Sequence, residues 1–204
     1  MLDAAIYDRL LGTAAAISEP LRSAIAAVGL IEIAPPAHAS IAERLFVEVV
    51  NQQLSTKAAL SIWTRVEAAA ALHEVAPRDL FVPGYESLLR DCGVSANKVR
   101  ALQAIREAES AGLLSADLAD LPHAERSAIL CRIRGVGPWT ADMVGIFHFL
   151  DPDIWPLGDV AAVGVLRRLT GIDDTEAVAA GFAPYRSILA RYMWRSRDTA
   201  SAAA

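Results

Sequence analysis

The chain has 204 residues, 54% of them apolar and 6% aromatic, with a formal net charge of −5. That length forms one compact unit or two small lobes, and no run of about 18 apolar residues offers a membrane span. The acidic balance argues against a protein that holds nucleic acid by overall charge, and leaves room only for a local basic patch.

The charge is unevenly spread. Residues 1–120 carry 10 basic and 15 acidic side chains, whereas residues 121–197 carry 9 basic and 8 acidic, all nine of the former being Arg. Arginine matches phosphate geometry better than lysine does. Cys92 and Cys131 are isolated thiols without C-x-x-C spacing, which fits reduced core residues in an intracellular, cytoplasmic protein. Met1-Leu2-Asp3 lacks a basic segment before an apolar stretch, so no secretory leader is expected.

Taken in order, residues 4–16 and 20–30 read as helices, the second started by Ser18, Glu19 and Pro20. Residues 33–37, with Pro35 and Pro36, form a linker. Ser40 and Glu43 fit a capping box ahead of Leu45, Phe46, Val49 and Val50 at helical spacing. That helix should end within 51–54, and Ser55 or Thr56 should cap the next, through Trp63 to Leu72. One turn at 77–81, a short helix at 85–92 closed by Gly93, and a longer one from Ser95 to Gly112 follow. Residues 115–121 are irregular, and Pro122 opens a helix. Thr175–Ala180 and residues 184–197 are the last helices, with a tail fraying from Thr199. No stretch alternates apolar and polar residues as a half-buried strand would, so the fold is expected to be all-α.

Residues 131–142 stand out. Ile129 and Ile133 precede Gly135-Val136-Gly137-Pro138, and Met143, Val144, Ile146 and Phe147 follow it. This is a helix, a tight turn and a helix. Both glycines relieve a Cβ restriction, and Pro138 fits a first helical turn. The amides at that helix start lack intrahelical partners and lie at the positive dipole end, where an anion is favoured. An ordinary hairpin with closely packed glycines fits the same residues. Further on, Asp159 follows Pro156-Leu157-Gly158 and opens the helical run from Val160, an N-cap position that needs no further role.

The run Gly-Val-Gly-Pro-Trp-Thr-Ala-Asp, followed by Asp-Ile-Trp-Pro-Leu-Gly-Asp, resembles the helix-hairpin-helix DNA glycosylases. It looks most like their DNA-3-methyladenine glycosylase II branch. The segment from Val49 through Asn51-Gln52-Gln53-Leu54-Ser55 resembles the same family's first interhelix junction. The resemblance covers nearly all of residues 40–197. It implies two helical lobes flanking a DNA-binding cleft; a bacterial member of the family adds an N-terminal β-domain, for which 204 residues leave no room, so no β-domain is expected. One lobe would comprise residues 1–37 and 136–204 with the catalytic Asp, and the other residues 38–135, leading into the hairpin.

The resemblance also implies roles. Asp159 matches the catalytic carboxylate. Arg134, Gly135, Val136, Gly137 and Thr140 match the hairpin that grips the DNA backbone. Gln53, or Leu54 beside it, matches the side chain that fills the vacated base site. Trp139 and Trp194 match tryptophans lining the base pocket, whose faces would attract a cationic N-alkylated purine by ~2 kcal/mol when desolvated. Trp63 and Trp155 are read as core, and Asp142 as structural or as a support behind the site residues. The expected partner is double-stranded DNA containing damaged bases, bound by a monomer with no membrane contact. A monovalent cation held by hairpin backbone carbonyls is implied by the family.

Departures from other branches are equally informative. Lyase-competent relatives carry a Schiff-base lysine where this chain has Trp139. Its only lysines are Lys57 and Lys98. No cysteine follows Cys131, so the four-cysteine iron–sulfur signature is absent. His38, His73, His123 and His148 show no metal-ligand spacing, and no phosphate-binding Gly-rich loop for a nucleotide cofactor occurs. Monofunctional hydrolysis of alkylated bases is the activity expected. Removal of uracil or mismatched bases, and a non-catalytic damage-binding hairpin, are the competing readings.

Overall fold

The computed structural model describes residues 3–202, and among them the fold is all helical, with eleven α-helices and no strand. The chain divides into two compact units. One is His38–Val144. The other comprises the flanking residues, up to Ala37 and from Gly145 onward.

In the flanking unit, α1 (Ala4–Ile17) and α2 (Glu19–Val28) pack as a pair joined at Ser18, which stands at the end of the first and the N-cap position of the second. The Ser18 hydroxyl donates to Leu169 O at 2.6 Å. These two helices pack with α9 (Val160–Thr170), α10 (Thr175–Ala180) and α11 (Arg186–Ala202). Leu10, Leu21, Ile25, Leu166, Phe182, Leu189 and Tyr192 fill the shared core. Trp155 is buried in it, as its core reading requires. The Tyr192 hydroxyl donates to Gly29 O at 2.9 Å, which satisfies a polar group in an otherwise apolar layer. α11 continues through Ala202, so the chain stays helical past Thr199, where fraying was expected. Ala203 and Ala204 lie outside the described residues.

The His38–Val144 unit begins with α3 (Ile41–Asn51), capped by the Ser40 hydroxyl accepting from Glu43 N–H, with Glu43 reaching back to Ala39 N–H. This is the capping box in slightly shifted form. α4 (Thr56–Leu72) is capped by Ser55. A 3₁₀ turn at Pro77–Leu80, α5 (Glu86–Asp91) and α6 (Ala96–Ser110) follow. Phe46 and Phe81 meet edge-on at 4.8 Å, and Leu45, Leu80, Leu89, Leu102 and Ile105 are buried in the same unit. Glu48 is buried beside Arg44; burial raises its carboxyl pKa, and the guanidinium partly reverses that. A second 3₁₀ turn (Ala116–Asp120) precedes α7 (His123–Leu130) and α8 (Pro138–Phe147), the two arms of the hairpin. The boundary between units falls inside α8, past the hairpin turn.

Candidate active site

Asp159 is the N-cap of α9. Its Oδ1 accepts the Ala162 N–H at 2.7 Å and the Trp194 indole N–H at 2.9 Å. The side chain is half-buried, not sealed into the apolar interior. Two consecutive reverse turns, with Leu157 N–H bonded to Trp155 O and Asp159 N–H to Pro156 O, deliver it to the helix start. The carboxylate thus sits at the positive end of the α9 dipole.

Trp194 is brought to Asp159 by α11, and α11 is itself pinned to the preceding loop. Arg186 grips Asp153 through two side-chain bonds, 2.7 and 2.9 Å, and donates its backbone N–H to the same carboxylate. The guanidinium holds the Asp153 carboxyl below its usual range. One residue on, the Ser187 hydroxyl accepts from Ile154 N–H at 2.8 Å and donates to Ile154 O. The segment 153–159 therefore enters the site in fixed register with α11. Trp194 also stacks on Phe147, with ring centroids 5.5 Å apart and planes 25° from parallel. The Arg191 guanidinium lies 4.6 Å from the Phe147 ring centroid. Phe147 reads in sequence as one more apolar residue of α8. Its partnership with Trp194 depends on helix packing that no local spacing reveals.

The other predicted residues lie in the His38–Val144 unit, up to the first turn of α8. Gly135 adopts φ +86°, and a Cβ there would lie 2.3 Å from Ala101 Cβ. Gly137 differs from the expectation: it has an ordinary φ, and a Cβ would meet nothing within 4 Å. Gly135 is thus required by α6 packing and by its torsion. Gly137 instead leaves open space beside the start of α8, the end of a helix that attracts anions. Val136 and Thr140 are 5% and 2% exposed, so any DNA contact of Val136 falls to its backbone. Arg134 is exposed, and Trp139 is half-buried in the first turn of α8. The Asp142 carboxylate accepts from His123 Nε2 at 2.9 Å, joining α7 to α8.

Between α3 and α4, Gln53 is exposed and holds φ +57°, a torsion uncommon for a residue with a Cβ. Leu54 is 37% exposed. Gln52 points elsewhere: its Nε2 donates to Gly135 O at 3.1 Å and to Thr140 Oγ1 at 3.0 Å. Sequence reading did not assign this role to Gln52, because the bond spans 83 and 88 residues.

This architecture is an all-helical DNA-glycosylase fold. Its relatives narrow that class. DNA-3-methyladenine glycosylase 1 of Schizosaccharomyces pombe is 30% identical over 167 residues, covering 78% of this chain and 73% of that protein. The structure of S. pombe 3-methyladenine DNA glycosylase (Mag1) in complex with abasic DNA superposes with a TM-score of 0.79 at 26% identity, covering 94% and 96% of the two chains. A DNA-3-methyladenine glycosidase from Bacillus halodurans gives 0.73 at 27% identity, over 92% and 88%. No family model matches the sequence. The chain belongs to the DNA-3-methyladenine glycosylase family.

Proposed function

We propose that this chain excises alkylated purines, of the 3-methyladenine and 7-methylguanine type, from duplex DNA as the first step of base excision repair, with the specificity of the glycosylase II branch. It is an N-glycosyl hydrolase acting on DNA. The observation that carries the reading is Asp159: a half-buried carboxylate fixed by a helix N-terminus and by the indole N–H of an aromatic stack.

A base paired in a duplex cannot reach such a carboxylate, so the nucleotide must swing out, as it does in glycosylases generally. Extrusion costs a few kcal/mol, and least for a damaged base. The amides opening α8 beside Gly137 grip a phosphate, with exposed Arg134 adding charge. Such contacts carry no sequence information, which suits an enzyme that searches for lesions. Gln53, on its strained exposed turn, fills the vacated site. Trp139 and Trp194 hold the cationic base.

Bond cleavage follows from charge. The C1′–N bond breaks with its electron pair going to the base, which leaves neutral because alkylation made it cationic beforehand. No strong general acid is needed. Asp159 stabilises the oxocarbenium-like charge at C1′ and takes the proton of the attacking water. With Trp139 where a lyase lysine would stand, no amine is available at that position for a covalent step.

A monovalent cation would sit on hairpin carbonyls and add positive charge to the phosphate grip. Ile133 O and Gly135 O each already accept one hydrogen bond, from Val136 N–H and Gln52, and each carbonyl keeps a second lone pair. These lone pairs are what such an ion would bind. No helix among the described residues is long and apolar enough to cross a membrane. We infer a monomer working on DNA inside the cell.

Chromatography of the bases released from methylated duplex and from uracil-containing duplex tests the assignment. Release of methylated purines alone supports it. Release of uracil alone moves the enzyme to a neutral-base specificity, and duplex binding without release from either supports a damage-binding protein.

A further inference from the structure

α6 supports both DNA-handling turns of the His38–Val144 unit from one face. Lys98 and Ala101 are three residues apart and so share that face. Ala101 is the residue against which Gly135 closes, the fit that excludes a Cβ from the hairpin turn. The Lys98 ammonium, half-buried, donates to Val50 O and to Gln52 O, both at 2.8 Å. These are carbonyls at the C-terminal end of α3, the negative pole of that helix, and they lead directly into Gln53.

Lys98 is an expensive choice for that task. It stands in the first turn of α6, at the positive end of its own helix, and burial lowers its affinity for a proton. A residue that only needed to fill space there would be apolar. Gln52 completes the arrangement. Its backbone carbonyl is held by Lys98, and its side-chain amide spans the hairpin from Gly135 O to Thr140 Oγ1. With Gln52 committed to the hairpin, Gln53 is the exposed residue of the pair, presented at φ +57°.

We propose that Lys98 and Gln52 are positioning residues that lock the wedge turn to the phosphate-gripping hairpin, so that engagement of the backbone and insertion of Gln53 occur as one rigid movement. The inference rests on the glycosylase reading and specifies its extrusion step. Without Lys98, two carbonyls at the end of α3 lose their donor and the Gln53 turn loses its strain support. The hairpin, built on Gly135 and Ala101, keeps its shape.

The test compares two duplexes carrying one 7-methylguanine, either paired with cytosine or set opposite an abasic gap. Extrusion costs least where the base is already unpaired. The paired lesion should therefore lose about 10- to 100-fold in single-turnover release in Lys98→Met, and the unpaired lesion less than about threefold. Lys98→Arg, which keeps a cationic donor for both carbonyls, should recover most of the loss. A 2-aminopurine beside the lesion should show reduced unstacking in Lys98→Met at saturating enzyme. Should Lys98→Met fold poorly, Gln52→Ala provides the same paired-against-unpaired contrast. Equal losses on both duplexes, or none on either, in a wild-type-active background would overturn the coupling. Wild-type protein that releases base from neither duplex would instead overturn the glycosylase reading.

Discussion

The two units use their residues in opposite ways. In His38–Val144 the proposed phosphate grip is largely backbone, a glycine without obstruction and the first amides of α8, while the Gln53 wedge is set by a turn held at positive φ. The side chains of Gln52, Lys98 and Ala101 support these turns from behind. In the flanking unit the order is reversed. One side chain, Asp159, is the working group, and backbone and neighbouring side chains fix it. Contacts to a uniform phosphate chain suit uniform backbone groups, whereas charge development at one atom needs one placed carboxylate.

The largest effect should separate those two designs. Asp159→Asn should lower base release by about 10²–10³-fold or more while leaving duplex affinity unchanged. Asn caps helices as well as Asp, so the melting temperature should hold, and calorimetry beside the kinetic assay checks both. Undiminished release would show that another group does the chemistry.

Within the hairpin the two glycines should part company. Gly135→Ala forces a Cβ to 2.3 Å from Ala101 at φ +86°. It should cost about 2–4 kcal/mol and lower the melting temperature by roughly 5–15 °C. Gly137→Ala meets no protein atom and should melt normally, yet weaken duplex binding about tenfold by crowding the phosphate. The reverse pattern would mean the roles are exchanged.

Trp194→Phe keeps an aromatic ring against Phe147 and removes the N–H held by Asp159. Single-turnover release should fall about five- to tenfold with little change in affinity, in line with one lost hydrogen bond of about 1 kcal/mol. An affinity loss without a rate loss would make Trp194 a base-holding residue only.

The smallest effect concerns the Arg186–Asp153 pin. Asp153 has a lowered carboxyl pKa in the folded protein, so the pair adds stability above the unfolded value near pH 4 and loses it as pH falls through the folded value. Arg186→Met should cost about 1–2 kcal/mol at neutral pH, discounted for partial exposure, and flatten the acid side of the stability profile. Urea titrations at pH 7 and pH 3 measure it; equal differences at both would show that the ion pair is not the source of the stability.

Local signals carried most of the fold. Caps at Ser40, Ser55, Ser95 and Asp159, and the breaks at Pro35-Pro36 and Gly112, are chemistry within a few residues, and the helices form where those signals fall. The hairpin was legible for the same reason. What was not legible depends on distant approach. Nothing around Gly135 and Gly137 distinguishes them until Ala101, over thirty residues earlier, closes on one and not the other. Phe147 belongs to an apolar run until α11 brings Trp194 against it. Lys98 looks like a solvated helix charge until α3 ends on its ammonium.

One crossed measurement tests the division of labour most directly: duplex dissociation constant and saturating single-turnover release of 7-methylguanine, for Asp159→Asn and Gly137→Ala side by side. Asp159→Asn should lose rate and keep affinity, and Gly137→Ala should lose affinity and keep its saturating rate. If both variants lose both quantities together, gripping and cleavage are not separate functions of the two units.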